Sequence, residues 1–96
     1  MPAVHRLGEV CSGHSCYPPR PNVQASPNVF AEGIAVHRQT DAWSSHGCPG
    51  KKPHSSVLAL GSSTVYVNGL QCARIGDPVA CGSNAAMGAM TVFAGG

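Results

Sequence analysis

An all-β fold is predicted by three observations. A strand–turn–strand phrase occurs twice, as "SPNVFAEGIAVHRQTD" at residues 26–41 and "SSTVYVNGLQCARIGD" at residues 62–77. A third fragment of it, "MTVFAGG", stands at residues 90–96. No segment sustains the 3.6-residue apolar period of an amphipathic helix. Ninety-six residues make one domain, 1–96, near the size where a hydrophobic core only just offsets chain entropy. Core material is scarce, because 12 glycines and 8 prolines outnumber the 18 Val, Leu, Ile and Phe. A chain this small and this poor in apolar residues needs a staple.

In chain order, the first strand is "AVHR" at residues 3–6, which matches "AVHR" at 35–38 and "QCAR" at 71–74. A long loop over about residues 7–27 follows. "NVFA" and "IAVH" then flank Glu32-Gly33, and "TVYV" and "LQCA" flank Asn68-Gly69. Asn-Gly is the strongest two-residue hairpin signal, because a type I′ turn requires positive φ at both positions. Glu32-Gly33 is the weaker turn pair in the same register. Between these hairpins lies a loop over about 39–61, and after them one over about 75–90, where "SNAAMGAM" leaves room for a helical turn or two. "TVFA" at 91–94 has no partner downstream, so the strand at 3–6 is expected to complete a third hairpin. The result is a closed, pseudo-threefold ring without exposed edges.

Each return strand ends in Arg with an acid three residues later: Arg6 and Glu9, Arg38 and Asp41, Arg74 and Asp77. Recurrence at every bend marks these pairs as structural. Five, five and four residues after the acids come His14, His46 and Cys81, at equivalent places in the three loops. Three side chains equivalent about an axis converge on one point. His54, in the longest loop, can close a three-His, one-Cys tetrahedron of the kind zinc accepts; iron is the alternative, and oxygen-seeking Ca²⁺ and Mg²⁺ are disfavoured. Cys48, two residues after His46, is the best substitute ligand, and Cys11 and Cys16 flank His14. An odd count of five cysteines without a secretion-signal pattern favours thiols or metal ligands over disulfides. His5 and His37 align with Ala73, and Cys72 with Val4 and Val36, so these are expected to be strand and core residues.

A net charge of +2 spread over six Lys and Arg offers no basic stripe for nucleic acid. No apolar run reaches membrane-spanning length. Two other classes could use the same four donors. A zinc-dependent hydrolase would leave one position open for water, but the bends use every acid except Glu32, so no general base is at hand. A zinc-stabilised adaptor would need a basic or aromatic surface. The aromatics number five, and the equivalent Phe30, Tyr66 and Phe93 are expected to pack into the body.

The phrase "GSSTVYVNGLQCARIGDPVACG" at 61–82 resembles the PAAR-repeat family, with "QCAR" and two copies of "AVHR" in place of the Pro-Ala-Ala-Arg of its name. The strand and turn, the Ala-Arg-x-Gly-Asp bend and the spaced His/Cys loops carry the resemblance over nearly the whole chain. It implies a small cone whose loops gather at a metal-bound point. The implied role is mechanical: one copy caps a trimeric β-helical spike of a type VI secretion system or a contractile phage tail. "YPPRP" at 17–21 is more similar to phage tips. The resemblance further implies synthesis in a bacterial cytoplasm, assembly on the spike, transient contact with a target membrane, and any effector bound non-covalently.

Overall fold

Asn68 and Gly69 have φ of 54° and 79°, and Glu32 and Gly33 have 53° and 79°, so both two-residue turns are of the same left-handed type. Glu32-Gly33 joins β1 (Phe30–Ala31) to β2 (Ile34–Ala35). A second hairpin pairs β3 (Ala42–Cys48) with β4 (Lys51–Val57), and a third pairs β5 (Tyr66–Val67) with β6 (Leu70–Gln71). The computed structural model describes residues 1–96, has no helix, and extends 39 × 24 × 22 Å. Positive φ at Glu32 costs on the order of 1 kcal/mol. Its carboxylate offsets this by accepting hydrogen bonds from the Met90 and Thr91 backbone N–H groups and by pairing with Arg6 at 2.9 Å.

The pairing expected between the two chain ends also forms. Ala3 lies opposite Phe93, Val4 N–H donates to Val92 O at 2.9 Å, and Ala94 N–H donates to Pro2 O at 3.0 Å. The three return strands then close on one another. His5 N–H donates to Ala73 O, Ala73 N–H to His37 O, and His37 N–H to His5 O, at 2.9, 3.0 and 3.1 Å. A second cycle repeats the pattern: Leu7 to Ala35, Gln39 to Gln71 and Ile75 to Ala3, at 2.8–2.9 Å. Each return strand is thus paired on both sides and leaves no edge open.

The Arg–acid pairs hold the bends as expected. Each acid accepts a hydrogen bond from its Arg backbone N–H at 2.7, 2.9 and 2.8 Å, and its guanidinium lies within 3.0 Å. The same guanidinium reaches on to a hairpin turn: Arg6 to Glu32, Arg38 to Asn68 Oδ1, Arg74 to Gly95 O.

Side chains fill the ring in two layers. Val4, Val36 and Cys72, with Ala31, Val67 and Ala94, form the lower core, and Trp43, Leu58, Ala73, Val79, Ala85 and Cys11 the upper one. Three expectations are corrected. Residues 83–90 form no helical turn; Asn84 bridges Pro78 and Ala85 bridges Cys11, and Gly88 lies so near Val4 O that an added Cβ would sit 2.9 Å from it. The 39–61 segment is mostly strand rather than loop, and holds the longest hairpin of the molecule. Phe30, Tyr66 and Phe93 do not pack into the body but are 58%, 56% and 49% exposed. In each lead strand the smaller neighbour, Ala31, Val67 or Ala94, takes the narrow axial position, and the period-2 alternation turns the aromatic ring outward.

His5 and His37 lie inside the ring, fully buried against Trp43 at ring-centroid distances of 5.1 Å. His5 Nδ1–H donates to Met87 O and its Nε2 accepts from Asn22 Nδ2. His37 Nδ1–H donates to Gln24 O, while its Nε2 has no partner. Burial, reinforced by His5 and Arg38 and only partly opposed by the Gln24 hydrogen bond and Asp41, lowers the His37 pKa to about 4. With the folded-state value below the ordinary one, the contribution to stability is complete above pH ~6.5 and is lost as pH falls toward 4. We expect His37→Gln to flatten the decline in Tm between pH 7 and pH 4.5 when apo proteins are compared. An unchanged pH profile would remove His37 as its cause.

Candidate metal centre

The middle loop supplies two imidazoles directly opposite each other, because His46 on β3 faces His54 on β4 across irregular pairing. His14 sits on a tight turn closed by its N–H to Tyr17 O at 3.0 Å and by Tyr17 N–H to His14 O at 2.8 Å. Gly13 permits that turn: φ is 72°, and an added Cβ would lie 2.7 Å from Tyr17 O. Cys81 comes from a third turn, in which Val79 N–H donates to Ser83 O at 2.8 Å.

These four residues, expected from their loop positions, come together, with ligand atoms within 4.8 Å of one another. His46 Nε2 and His14 Nε2 lie 2.7 and 3.1 Å from His54 Nε2. His46 Nδ1–H donates to Pro18 O at 2.7 Å, which fixes the tautomer with a lone pair on Nε2, as a metal ligand requires. His14 and His54 are held below the ordinary imidazole range by lost hydration and by the other imidazoles and Arg20. Burial works against the Cys81 thiolate, but hydrogen bonds from Arg20 and Ser83 outweigh it, so that thiol also lies below its ordinary value. Three imidazole nitrogens and one sulfur gathered this closely are the donor set of a four-coordinate site. The cluster can therefore hold a metal ion.

His5 and His37 stay out of this cluster, as expected of strand histidines, and Cys72 is core. Cys16 and Cys48 are corrected: they are not free thiols or substitute ligands but are joined as a disulfide, with Cα atoms 5.7 Å apart. Thirty-two residues separate them in sequence, so only the convergence of two loops shows the pairing. Cys11 is free and buried.

Arg20 and Tyr17 are site residues that the spacing of ligands does not reveal. Arg20 is 4% exposed and donates through Nη2 to Cys81 Sγ at 3.5 Å, through Nη1 to Cys11 Sγ at 3.0 Å, and through Nε to Ser44 O at 2.7 Å. It also lies over Trp43 at 5.2 Å. The sequence carried only part of the signal, since it paired three of the four acids and left Glu32 unassigned. In the fold all four acids are engaged by Arg6, Arg38 and Arg74, which leaves Arg20 without a carboxylate, and it donates to two sulfurs instead. Tyr17 lies 4.3–5.0 Å from the three imidazoles, ring centre to ring centre, and its hydroxyl donates to Lys52 O. The Tyr17 ring thus packs against the three imidazoles, and the Arg20 guanidinium donates to the sulfur.

No curated protein matches the chain. The family model described as PAAR motif matches residues 5–87, from the first return strand through all three ligand-bearing loops, and the chain belongs to the PAAR-motif family.

Proposed function

We propose that this chain is a structural spike tip: one copy caps a trimeric β-helical spike of a contractile phage tail or a type VI secretion system and leads it through a target cell envelope. The observation that carries this reading is the exposed threefold set Phe30, Tyr66 and Phe93, at equivalent places on a closed ring. Half-exposed Val29, Ile34 and Val65 extend the apolar surface around them. A single pseudo-threefold chain with such a face suits a threefold partner. The summed area of three similar contacts, rather than a charged hot spot, would supply the affinity. The candidate metal cluster lies beyond the bends, at the other end of the return strands from the hairpin turns. Zinc is the ion we assign to it, since three imidazoles and one thiolate give a closed tetrahedral structural site. Its task is to tie three loops too poor in apolar residues to pack by themselves.

On this reading the protein is made in a bacterial cytoplasm, assembles on its spike, and touches a target membrane only in transit. Any effector travels with it non-covalently, and no enzymatic step is needed. Native mass spectrometry of the chain mixed with a cognate spike trimer tests the proposal. The expected complex has one tip per trimer, survives moderate salt, and is weakened at least tenfold by Tyr66→Asp. Three tips per trimer, or a complex dispersed by salt, would overturn it.

A further inference from the structure

Two of the three ligand loops carry the same pattern, His-x-Cys, as His14-Ser15-Cys16 and His46-Gly47-Cys48, whereas the third reads Cys81-Gly82-Ser83. Each of the first two loops thus places a sulfur two residues beyond an imidazole of the cluster. The fold joins those sulfurs, since Cys16 and Cys48 form a disulfide. The cross-link therefore runs between the loops bearing His14 and His46, two residues past each ligand. Without it, the His14 turn is fastened to the β3–β4 hairpin by weaker means. Tyr17 donates to Lys52 O at 3.0 Å, and His46 Nδ1–H donates to Pro18 O at 2.7 Å.

We propose that Cys16–Cys48 is a redox-operated lock on the metal centre: the dithiol form exchanges its ion, and the disulfide form retains it. The proposal rests on the metal reading of the cluster. A metal leaves when its ligands part in sequence, and the exposed turn carrying His14 is the one free to withdraw first. A covalent link between positions 16 and 48 keeps His14 near His46 after its bond to the ion breaks. Its effective concentration rises, and rebinding wins over escape. Cys16 is exposed, so a dissolved reagent can reach it.

Closure needs an oxidant, and a low-molecular-weight disulfide supplies it. One thiolate attacks the S–S bond of the reagent, forms a mixed disulfide and releases one thiol. The second thiolate then attacks the mixed disulfide, forms Cys16–Cys48 and releases the second thiol. The two cysteine protons pass to solvent and on to the released thiolates, and the two electrons reduce the reagent. In a reducing cytosol the dithiol form persists and the site loads; beyond it the lock closes.

The test uses full-length zinc-loaded protein treated either with oxidised glutathione or with a phosphine reductant. Zinc release to a chromophoric chelator is timed, and peptide mapping reports the cross-link. Oxidation is expected to join Cys16 to Cys48 and slow release about tenfold or more. The Cys16→Ser, Cys48→Ser double variant should release at the reduced rate under both conditions. Equal rates for oxidised and reduced protein, absence of the Cys16–Cys48 peptide, or slowing in the double variant would each overturn the lock while leaving a metal site in place. If neither form binds zinc, the metal reading itself fails, and the lock with it.

Discussion

His46→Ala is expected to empty the metal site and to lower the unfolding free energy by several kcal/mol, the largest effect of any single substitution in this chain. The reason lies in the poverty of the tip. Leu58, Val79 and Ala85 lie below the cluster in the upper core, while the loops above them carry Ser, Gly, Pro and Lys. Structural zinc in small sites contributes on the order of ten kcal/mol to folding, and loss of one of four ligands forfeits a large part of that. His46 is also the most constrained ligand, buried and held through Nδ1 by Pro18 O. His14→Ala, His54→Ala and Cys81→Ala should act in the same direction. Elemental analysis and thermal melts with and without chelator provide the measurement. His5→Ala and His37→Ala should destabilise the ring yet keep one metal per chain; loss of metal in those two variants would refute the assignment of ligands.

Removal of residues 91–96 is expected to cost about 3–5 kcal/mol, far more than loss of a surface tail. For a domain of this size that corresponds to a fall in Tm of roughly 15–30 °C. The segment contributes Ala94 and Val92 to the lower core and accepts from Val4 N–H. Its Gly95 O receives Arg74 and the Ser62 hydroxyl, and its Thr91 engages Glu32. Without it the strand at 3–6 loses one neighbour, and the ring has an open edge. The metal loops lie beyond the other end of the return strands and should still bind zinc, which separates this effect from the first. An unchanged Tm would mean that ring closure adds nothing.

Much of the ring was legible in the chain because its determinants are local or repeated. Asn68-Gly69 specifies its turn by backbone preference alone, and Glu32-Gly33 could be assigned by register with it. The Arg–acid pairs at three-residue spacing encode bends that each form within one tight turn. The third hairpin required only that the phrase be matched across the two ends. His14, His46 and Cys81 were readable for the same reason, since a repeat about an axis carries equivalent positions to a common point. His54 followed from the chemistry of a fourth donor.

Other features depended on which surfaces meet. The β3–β4 strands are rich in Ser, Gly, Lys and His and include Pro53, so intrinsic strand preference is weak there. Pairing is imposed by what lies at their base, where buried Trp43 bridges Asn22, and Leu58, just past β4, bridges Val79. Phe-Ala, Tyr-Val and Phe-Ala each offer two apolar residues, and local pattern cannot choose between them. The narrow axis admits the smaller one and turns the ring toward solvent. Arg20 found sulfur because every carboxylate was already taken, and Cys16 found Cys48 because two loops distant in sequence converge. By itself the sequence determined the turns, the bends and the threefold arrangement of ligands, each set within a few residues or by repetition. Only tertiary packing decided which side chains face the axis, which cysteines pair and where the unpaired charge is buried, because those outcomes depend on space left by distant segments.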